Sequence, residues 1–345
     1  GFFIGATEDN VSDLQDAVGT RENPIAIPGI CGIKIFMGVS TGTLLVSDKT
    51  ALEKIFTETA GLIAVHAEDE DRMEERRKLI EGRTDVAAHA FYRDDITALL
   101  ATKLSVELAH KTGHRLHILH LTSGIEADYL SDHCALPSKT SGHPIITTEV
   151  LPQHLTFDET DVDEQGVRLQ MNPPIRYSQD REILWRRLVD GTIQCIATDH
   201  APHTLEAKSK GFPEAPSGMP GVETSLPVML NYVNEGKCSL EDVVKWMSTN
   251  VADCYQMIGK GKLEVGYDGD IVLVDLKHQA LVEDKNSWTR VGWNPFRGRE
   301  LTGWPVLTVV EGVPVFERTQ ETGQKGRILV EPGAVGKPLL MEPWK

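Results

Sequence analysis

The chain has 345 residues, of which 40% are hydrophobic and 25% are charged, and its formal net charge is −16 at pH 7. This length allows one large domain with an appendage, or two domains. The negative charge repels phosphate backbones and argues against a nucleic acid partner, and no apolar run approaches the roughly 18 residues of a membrane-spanning helix.

Short apolar runs alternate with amphipathic stretches as far as residue 258. The apolar runs predict strands at 32–37, 62–66, 115–121, 144–149 and 192–198. The amphipathic stretches predict helices at 49–60, 68–81, 95–112, 179–189, 224–234 and 239–258. Ser239 followed by Asp242 is typical of a helix start. These βα units predict a parallel sheet covered on both faces, and their number favours a closed barrel over an open sheet.

The pattern changes after residue 258. The segments GYDGDIVLVDL and PVLTVVEGVPVFE are typical of short strands joined by glycine-rich turns. We therefore predict a barrel region over 1–258, a β-rich appendage over 259–318 and a tail over 319–345. The tail is rich in Gly, Pro and Lys, and we expect it to be loosely held.

Several polar residues lie at or near the ends of the predicted strands, where a parallel barrel places its active site. They are Lys34, His66, His120, Glu149 and Asp199. Lys34 lies between two isoleucines, where a free ammonium would carry a large desolvation penalty. Its side chain either reaches the barrel mouth or an acidic partner, or is carbamylated by CO2 to give a carboxylate that bridges two metal ions.

Two of these residues are histidines that end apolar runs, His66 in GLIAVHAED and His120 in HRLHILHLTSG. A single histidine at a strand end is more often structural, but two at the same edge favour a metal site, since neutral imidazole suits zinc. Side-chain alternation places His117 on the face opposite His120, and we therefore predict that His117 is structural.

Asp199 follows an apolar run in IQCIATDHAPH. A buried carboxylate there can ligate a metal and accept a proton from water, although a helix-capping aspartate is the alternative. Two loops add candidate substrate contacts. In MNPPIR (171–176), Asn172 precedes two prolines that stiffen the backbone, and in PSGMPG (216–221) glycine permits a close approach of the backbone. Each loop alone is more often a plain turn.

The five cysteines are widely spaced and include no CxxC pair. This spacing argues against a disulfide framework and against a cysteine zinc site. It favours the reducing cytoplasm as the location of the protein.

The order of the segments GIKIFM, VHAE, HLTS, TTEVLPQHL, MNPPIR and IATDHAPHT resembles the cyclic amidohydrolases. IATDHAPHT and GVETSLPVML resemble the dihydroorotases of the larger, type I kind, and WNPFRG and LTGWPV resemble that family's C-terminal segment. The similarity extends from residue 1 to about residue 316. Related hydantoinases, dihydropyrimidinases and allantoinases share the lysine and histidine ligands but generally lack the second histidine of DHAPH.

This resemblance implies a TIM-type (β/α)8 barrel and a zinc-dependent hydrolase of pyrimidine biosynthesis, which interconverts (S)-dihydroorotate and N-carbamoyl-L-aspartate. It implies two zinc ions bridged by carbamylated Lys34, with His66 and His120 on one ion and Asp199 on the other. Asp199 would also be the general base and acid. We assign Glu149 a supporting role.

The resemblance also implies a set of substrate contacts. Asn172, His203 and the backbone of Ser217 and Gly218 would contact dihydroorotate, with His203 near its carboxylate. GVSTGT (38–43), which follows the bridging lysine, would lie near the bound substrate.

One feature departs from the family pattern, in which the first barrel strand carries a His-x-His pair followed by an arginine and a second strand supplies an asparagine. No HxH occurs in this chain, and GFFIGA resembles the family's third strand. The resemblance therefore implies a truncated chain that lacks two strands, these ligands and part of the β appendage. Such a fragment is expected to be inactive or poorly folded.

Two rival functions stay open. The enzymatic rival is a hydantoinase or an allantoinase, and His203 distinguishes it from a dihydroorotase. The non-enzymatic rival is an inactive homologue that acts as a scaffold for aspartate transcarbamoylase. The resemblance implies a small-molecule substrate as the main binding partner. For protein partners it leaves two possibilities, a homodimer or an association with aspartate transcarbamoylase.

Overall fold

The structure is a computed structural model that describes residues 1–40, 44–134, 144–331 and 333–343. In these residues a parallel sheet has six strands, each paired with its neighbours in sequence order. The strands are β1 (Phe2–Gly5), β2 (Ile30–Phe36), β3 (Ile63–His66), β4 (Leu116–Leu121), β5 (Ile146–Val150) and β6 (Cys195–Ile196). β3 and β5 are buried along their whole length, as in a sheet covered on both faces. The predicted parallel α/β architecture is confirmed.

The edges of this sheet are β1 and β6, and the described residues contain no ladder between them. The closed barrel therefore stays a prediction. The apolar core lies between the strands and the helices that cover them, where Ile33 and Ile35 of β2 and Ile55 and Phe56 of the following helix are fully buried.

Helices connect and follow the parallel strands. They are α1 (Val11–Val18), α2 (Lys49–Glu58), α3 (Glu70–Arg77), α4 (Ala87–Tyr92), α5 (Asp95–Thr112), α6 (Gly124–Leu130), α7 (Pro152–Thr156), α8 (Glu159–Gln165), α9 (Ser178–Val189), α10 (Leu205–Lys208), α11 (Ser225–Asn234), α12 (Leu240–Val244) and α13 (Asn250–Cys254). Short 3₁₀ turns lie at Lys78–Ile80, Gly166–Leu169 and Asp284–Asn286, and a π-helical turn at Lys245–Thr249 joins α12 to α13. Among the described residues, no helix is long and apolar enough to cross a membrane.

Local capping explains several of the helix ends. The side chains of Asp48, Asp69 and Asp94 each accept a hydrogen bond from a backbone N–H in the first turn of α2, α3 and α5. The helix start predicted at Ser239 and Asp242 is confirmed, and the two residues form a reciprocal capping box. The helix predicted at 239–258 is nevertheless interrupted, because the π turn inserts between α12 and α13.

A second, antiparallel sheet follows the helical region. Its strands are β7 (Ile271–Leu281), β8 (Glu300–Val310), β9 (Val313–Glu317) and β10 (Arg327–Ile328), in the spatial order β10-β9-β8-β7. β8 packs against α11, where the Asn231 and Asn234 side chains bond the backbone N–H and C=O of Thr302. β10 lies in the segment predicted as a tail, and so does Met341, which forms a bridge with Met257. The domain boundaries at 258 and 318 stay predictions.

Candidate active site

Two imidazoles meet at the carboxyl ends of β3 and β4. His66 Nδ1 lies 3.1 Å from His120 Nε2, and both side chains are buried. Two nitrogen ligands about 2.0–2.1 Å from a tetrahedral zinc ion would lie about 3.3 Å apart, so the spacing fits two ligands of one ion. Burial lowers the pKa of both histidines, which favours the neutral form that ligates metals.

A buried ion pair fixes the orientation of His66. Glu68 Oε2 accepts a hydrogen bond from His66 Nε2 at 2.7 Å and pairs with the guanidinium of Arg93. Burial alone would raise the pKa of Glu68, but Arg93 and the His66 hydrogen bond hold it at about 2. A neutral His66 that donates from Nε2 keeps its Nδ1 lone pair for a metal, which is the arrangement common in metal sites. The sequence reasoning missed Glu68 and Arg93, although VHAE contains the glutamate.

Lys34 extends from β2, with Nζ 4.5 Å from the centroid of the Phe36 ring. Burial lowers its pKa to about 8, and the carboxylates of Asp199 and Glu149 oppose this shift. The lowered pKa raises the fraction of neutral amine at pH 7 to roughly one molecule in ten, and the neutral amine is the form that reacts with CO2. Both interpretations of Lys34 stay open. The carboxylates of Asp199 and Glu149 could act as its acidic partners, and the larger fraction of neutral amine favours carbamylation.

The prediction that His117 lies on the face away from the site is wrong, whereas its structural role stays a prediction. Lys34 is paired with Ala64, and Ala64 with His117, so His117 shares the face of Lys34. His120 joins the site because the ladder shifts register after Ile118 and because His120 adopts a left-handed conformation with φ of 39°. Local irregularity, and not simple alternation, therefore brings His120 to His66.

Glu149 on β5 links the two histidines of β4. Its Oε2 accepts from His117 Nε2 at 3.0 Å, and its Oε1 accepts from the backbone N–H of His120 at 3.3 Å. The carboxylate of Glu149 also acts electrostatically on Lys34 and Asp199. These contacts suit a supporting role, which stays a prediction.

Asp199 follows β6 and also has a positive φ, of 40°. Such a conformation is uncommon for residues other than glycine, and it is often found at functional sites. Burial raises the pKa of Asp199 to about 6, against the opposing effect of Lys34. A carboxyl group with this pKa is ionised at neutral pH and still able to return a proton.

Two loops present the predicted substrate contacts. The Oδ1 atom of Asn172 accepts from His89 Nε2 at 2.9 Å, and its Nδ2 atom donates to Ser40 Oγ at 3.3 Å. His203 Nε2 lies 3.1 Å from the Ser217 carbonyl oxygen, and the Gly218 N–H donates to the Gln170 carbonyl at 2.9 Å. The loops at 170–172 and 216–218 therefore lie side by side. Residues 41–43 of GVSTGT lie outside the described residues.

Residues 47–315, most of the chain, match the amidohydrolase family. The chain belongs to the amidohydrolase family. Members related to dihydroorotase are generally metal-dependent.

The relatives of this amidohydrolase include curated dihydroorotases. The one from Methanosarcina mazei is 32% identical over 298 residues, which are 85% of this chain and 65% of the relative. The one from Halobacterium salinarum is 33% identical over 297 residues, which are 85% of this chain and 67% of the relative. Among solved structures, the L-hydantoinase (dihydropyrimidinase) of Arthrobacter aurescens has a TM-score of 0.82 at 29% identity and covers 95% of this chain and 70% of its own. The chain thus spans about two thirds of the length of its relatives.

Within the part of this amidohydrolase that the structure describes, no three His, Cys, Asp or Glu side chains come together as a complete metal-binding group. Among these side chains, His66 and His120 form a close pair.

Proposed function

We propose that the full-length protein is a zinc-dependent dihydroorotase, a cyclic amide hydrolase that interconverts (S)-dihydroorotate and N-carbamoyl-L-aspartate in pyrimidine biosynthesis. The observation that carries the proposal is the pair of buried imidazoles, 3.1 Å apart, of which His66 is oriented by Glu68, in a family member with dihydroorotases among its relatives.

In this proposal His66 and His120 would hold one zinc ion, Asp199 a second, and carbamylated Lys34 both. Zinc held there would supply a water of lowered pKa at neutral pH and a Lewis acid for the ring carbonyl of the substrate. Burial supports these roles because it keeps the imidazoles neutral and favours the reactive amine of Lys34.

Asp199 is the proposed general base and acid. Its carboxylate takes the proton of the attacking water and returns it to the ring nitrogen as the amide bond breaks. The pKa of about 6 suits both steps, since the group must be ionised before the attack and protonated after it. Cyclisation of N-carbamoyl-aspartate uses the same group in the opposite order.

The substrate is proposed to bind between the two loops. Asn172 offers its side-chain amide, held in one orientation by His89, and the 217–218 backbone offers peptide groups. His203 would contact the carboxylate that distinguishes dihydroorotate from a hydantoin or dihydrouracil. The structural similarity to a hydantoinase keeps that activity as the second candidate.

The test compares the zinc-loaded full-length protein with its His203→Ala variant on dihydroorotate, hydantoin and dihydrouracil. We expect turnover of dihydroorotate and its loss in the variant, whereas His110→Ala, at an exposed histidine, serves as the control that retains activity. Hydrolysis of hydantoin or dihydrouracil without dihydroorotate would favour the hydantoinase. Absence of all three activities in a zinc-loaded protein would favour the scaffold, for which binding to aspartate transcarbamoylase is the next measurement.

A further inference from the structure

Lys208, at the end of α10, is a lysine that the proposed chemistry does not use. The residue is 1% exposed, and in the described residues no carboxylate forms an ion pair with it. A buried cation without an acidic partner is rare because its desolvation is costly. Its environment therefore needs a specific explanation.

Three backbone carbonyls surround the ammonium group. Lys208 Nζ donates to the carbonyl oxygens of Gln170 and Pro216, each at 2.9 Å, and of Gly218 at 3.0 Å. An ammonium has three N–H donors, so each proton has one acceptor. The site thus fits the charged form, although burial lowers the pKa of Lys208 to about 7.

These three carbonyls belong to the two loops that carry the proposed substrate contacts. Gln170 lies two residues before Asn172, and Pro216 and Gly218 flank Ser217, whose carbonyl faces His203. Each bonded carbonyl shares its peptide group with the N–H of the next residue, so the cation polarises the N–H of Ser217. Met219 already pairs with His200 in a β-bridge. A polarised N–H is a better donor to an acceptor group on a ligand.

We propose that Lys208 is a positioning residue, which clamps the 170–172 and 216–219 segments together and shapes the 216–219 backbone to bind the oxygen acceptors of an anionic cyclic amide. This inference rests on the proposed function for its substrate. The clamp itself rests on the three hydrogen bonds, so the two can be tested separately.

The test uses Lys208→Met in the full-length, zinc-loaded enzyme, with Lys260→Met as the control. Lys260 also bonds two groups, Asp268 and Asp270, but lies in the segment predicted as the appendage. For Lys208→Met we expect KM for dihydroorotate to rise about tenfold, with kcat within about twofold of wild type and unchanged zinc content. Hydrogen exchange, measured without substrate, should accelerate at 216–219 while the remaining core keeps its protection. The control should change neither KM nor exchange at 216–219.

An unchanged KM in an active Lys208→Met enzyme would overturn the inference, and so would a loss of protection spread through the whole core. If the wild type has no dihydroorotase activity, the proposed function fails. The exchange measurement still decides the clamp in that case, since faster exchange confined to 216–219 supports it and unchanged exchange overturns it.

Discussion

Replacing Glu68 with glutamine tests how the buried pair supports His66. Glu68→Gln removes the charge that faces Arg93, which is 2% exposed and would stay buried without its carboxylate. The pKa of Glu68 is lowered from 4.5 to about 2, and at 1.36 kcal/mol per unit this corresponds to on the order of 3 kcal/mol. Breaking a buried pair costs a similar amount, about 3–5 kcal/mol. We therefore expect urea unfolding of the zinc-free protein at pH 7 to show a loss of about 3 kcal/mol.

The pH dependence of this loss has a defined sign. Because folding lowers the pKa of Glu68, its contribution is present above about pH 4.5 and disappears as the pH falls toward about 2. Glu53→Gln is the matched control, since Glu53 pairs with Lys111 at the surface, and it should cost less than about 1 kcal/mol. A loss in Glu68→Gln no larger than that of the control would refute the reasoning.

Two further substitutions test the loops that are proposed to bind substrate. Gly218→Ala should raise KM and destabilise the 216–219 segment, because φ is +127° and a Cβ atom would lie 2.3 Å from the Ala201 carbonyl oxygen. Gly211→Ala is the control: its φ is +76°, but nothing lies near the added Cβ atom. The comparison separates the effect of steric crowding from that of backbone strain alone. His89→Ala frees the Asn172 amide, and steady-state kinetics should show a several-fold higher KM with zinc content unchanged. Equal effects of the two glycine variants, or an unchanged KM in His89→Ala, would contradict these expectations.

The sequence predicts best the elements whose signals are local. The helix predicted at 95–112 coincides with α5, because Asp94 caps its start and Gly113 ends it in a left-handed conformation. The strand predicted at 192–198 is paired only at Cys195–Ile196. Pairing depends on the neighbouring strand β5, and it ends at Ile196, before the chain turns at Asp199. Apolar composition alone therefore does not predict where the strand ends.

The candidate site shows the same division between local and long-range information. His66 and His120 stand out because each ends an apolar run. Glu68 and Arg93 are 25 positions apart in the sequence. The polar residues around each of them do not predict that the two side chains form a buried ion pair. Lys208 lies in a charged stretch that is typical of solvent-exposed loops, and only the packing of two distant loops around it shows that it is buried.

The central claim is that Lys34, His66, His120 and Asp199 form one metal centre. A crystal structure of the zinc-loaded full-length protein, with anomalous scattering recorded at the zinc edge, tests it most directly. We predict one zinc ion about 2.0–2.1 Å from His66 Nδ1 and His120 Nε2, a second ion bound by Asp199, and a carbamate on Lys34 that reaches both. Zinc bound elsewhere, or no anomalous peak between the two imidazoles, would contradict the account.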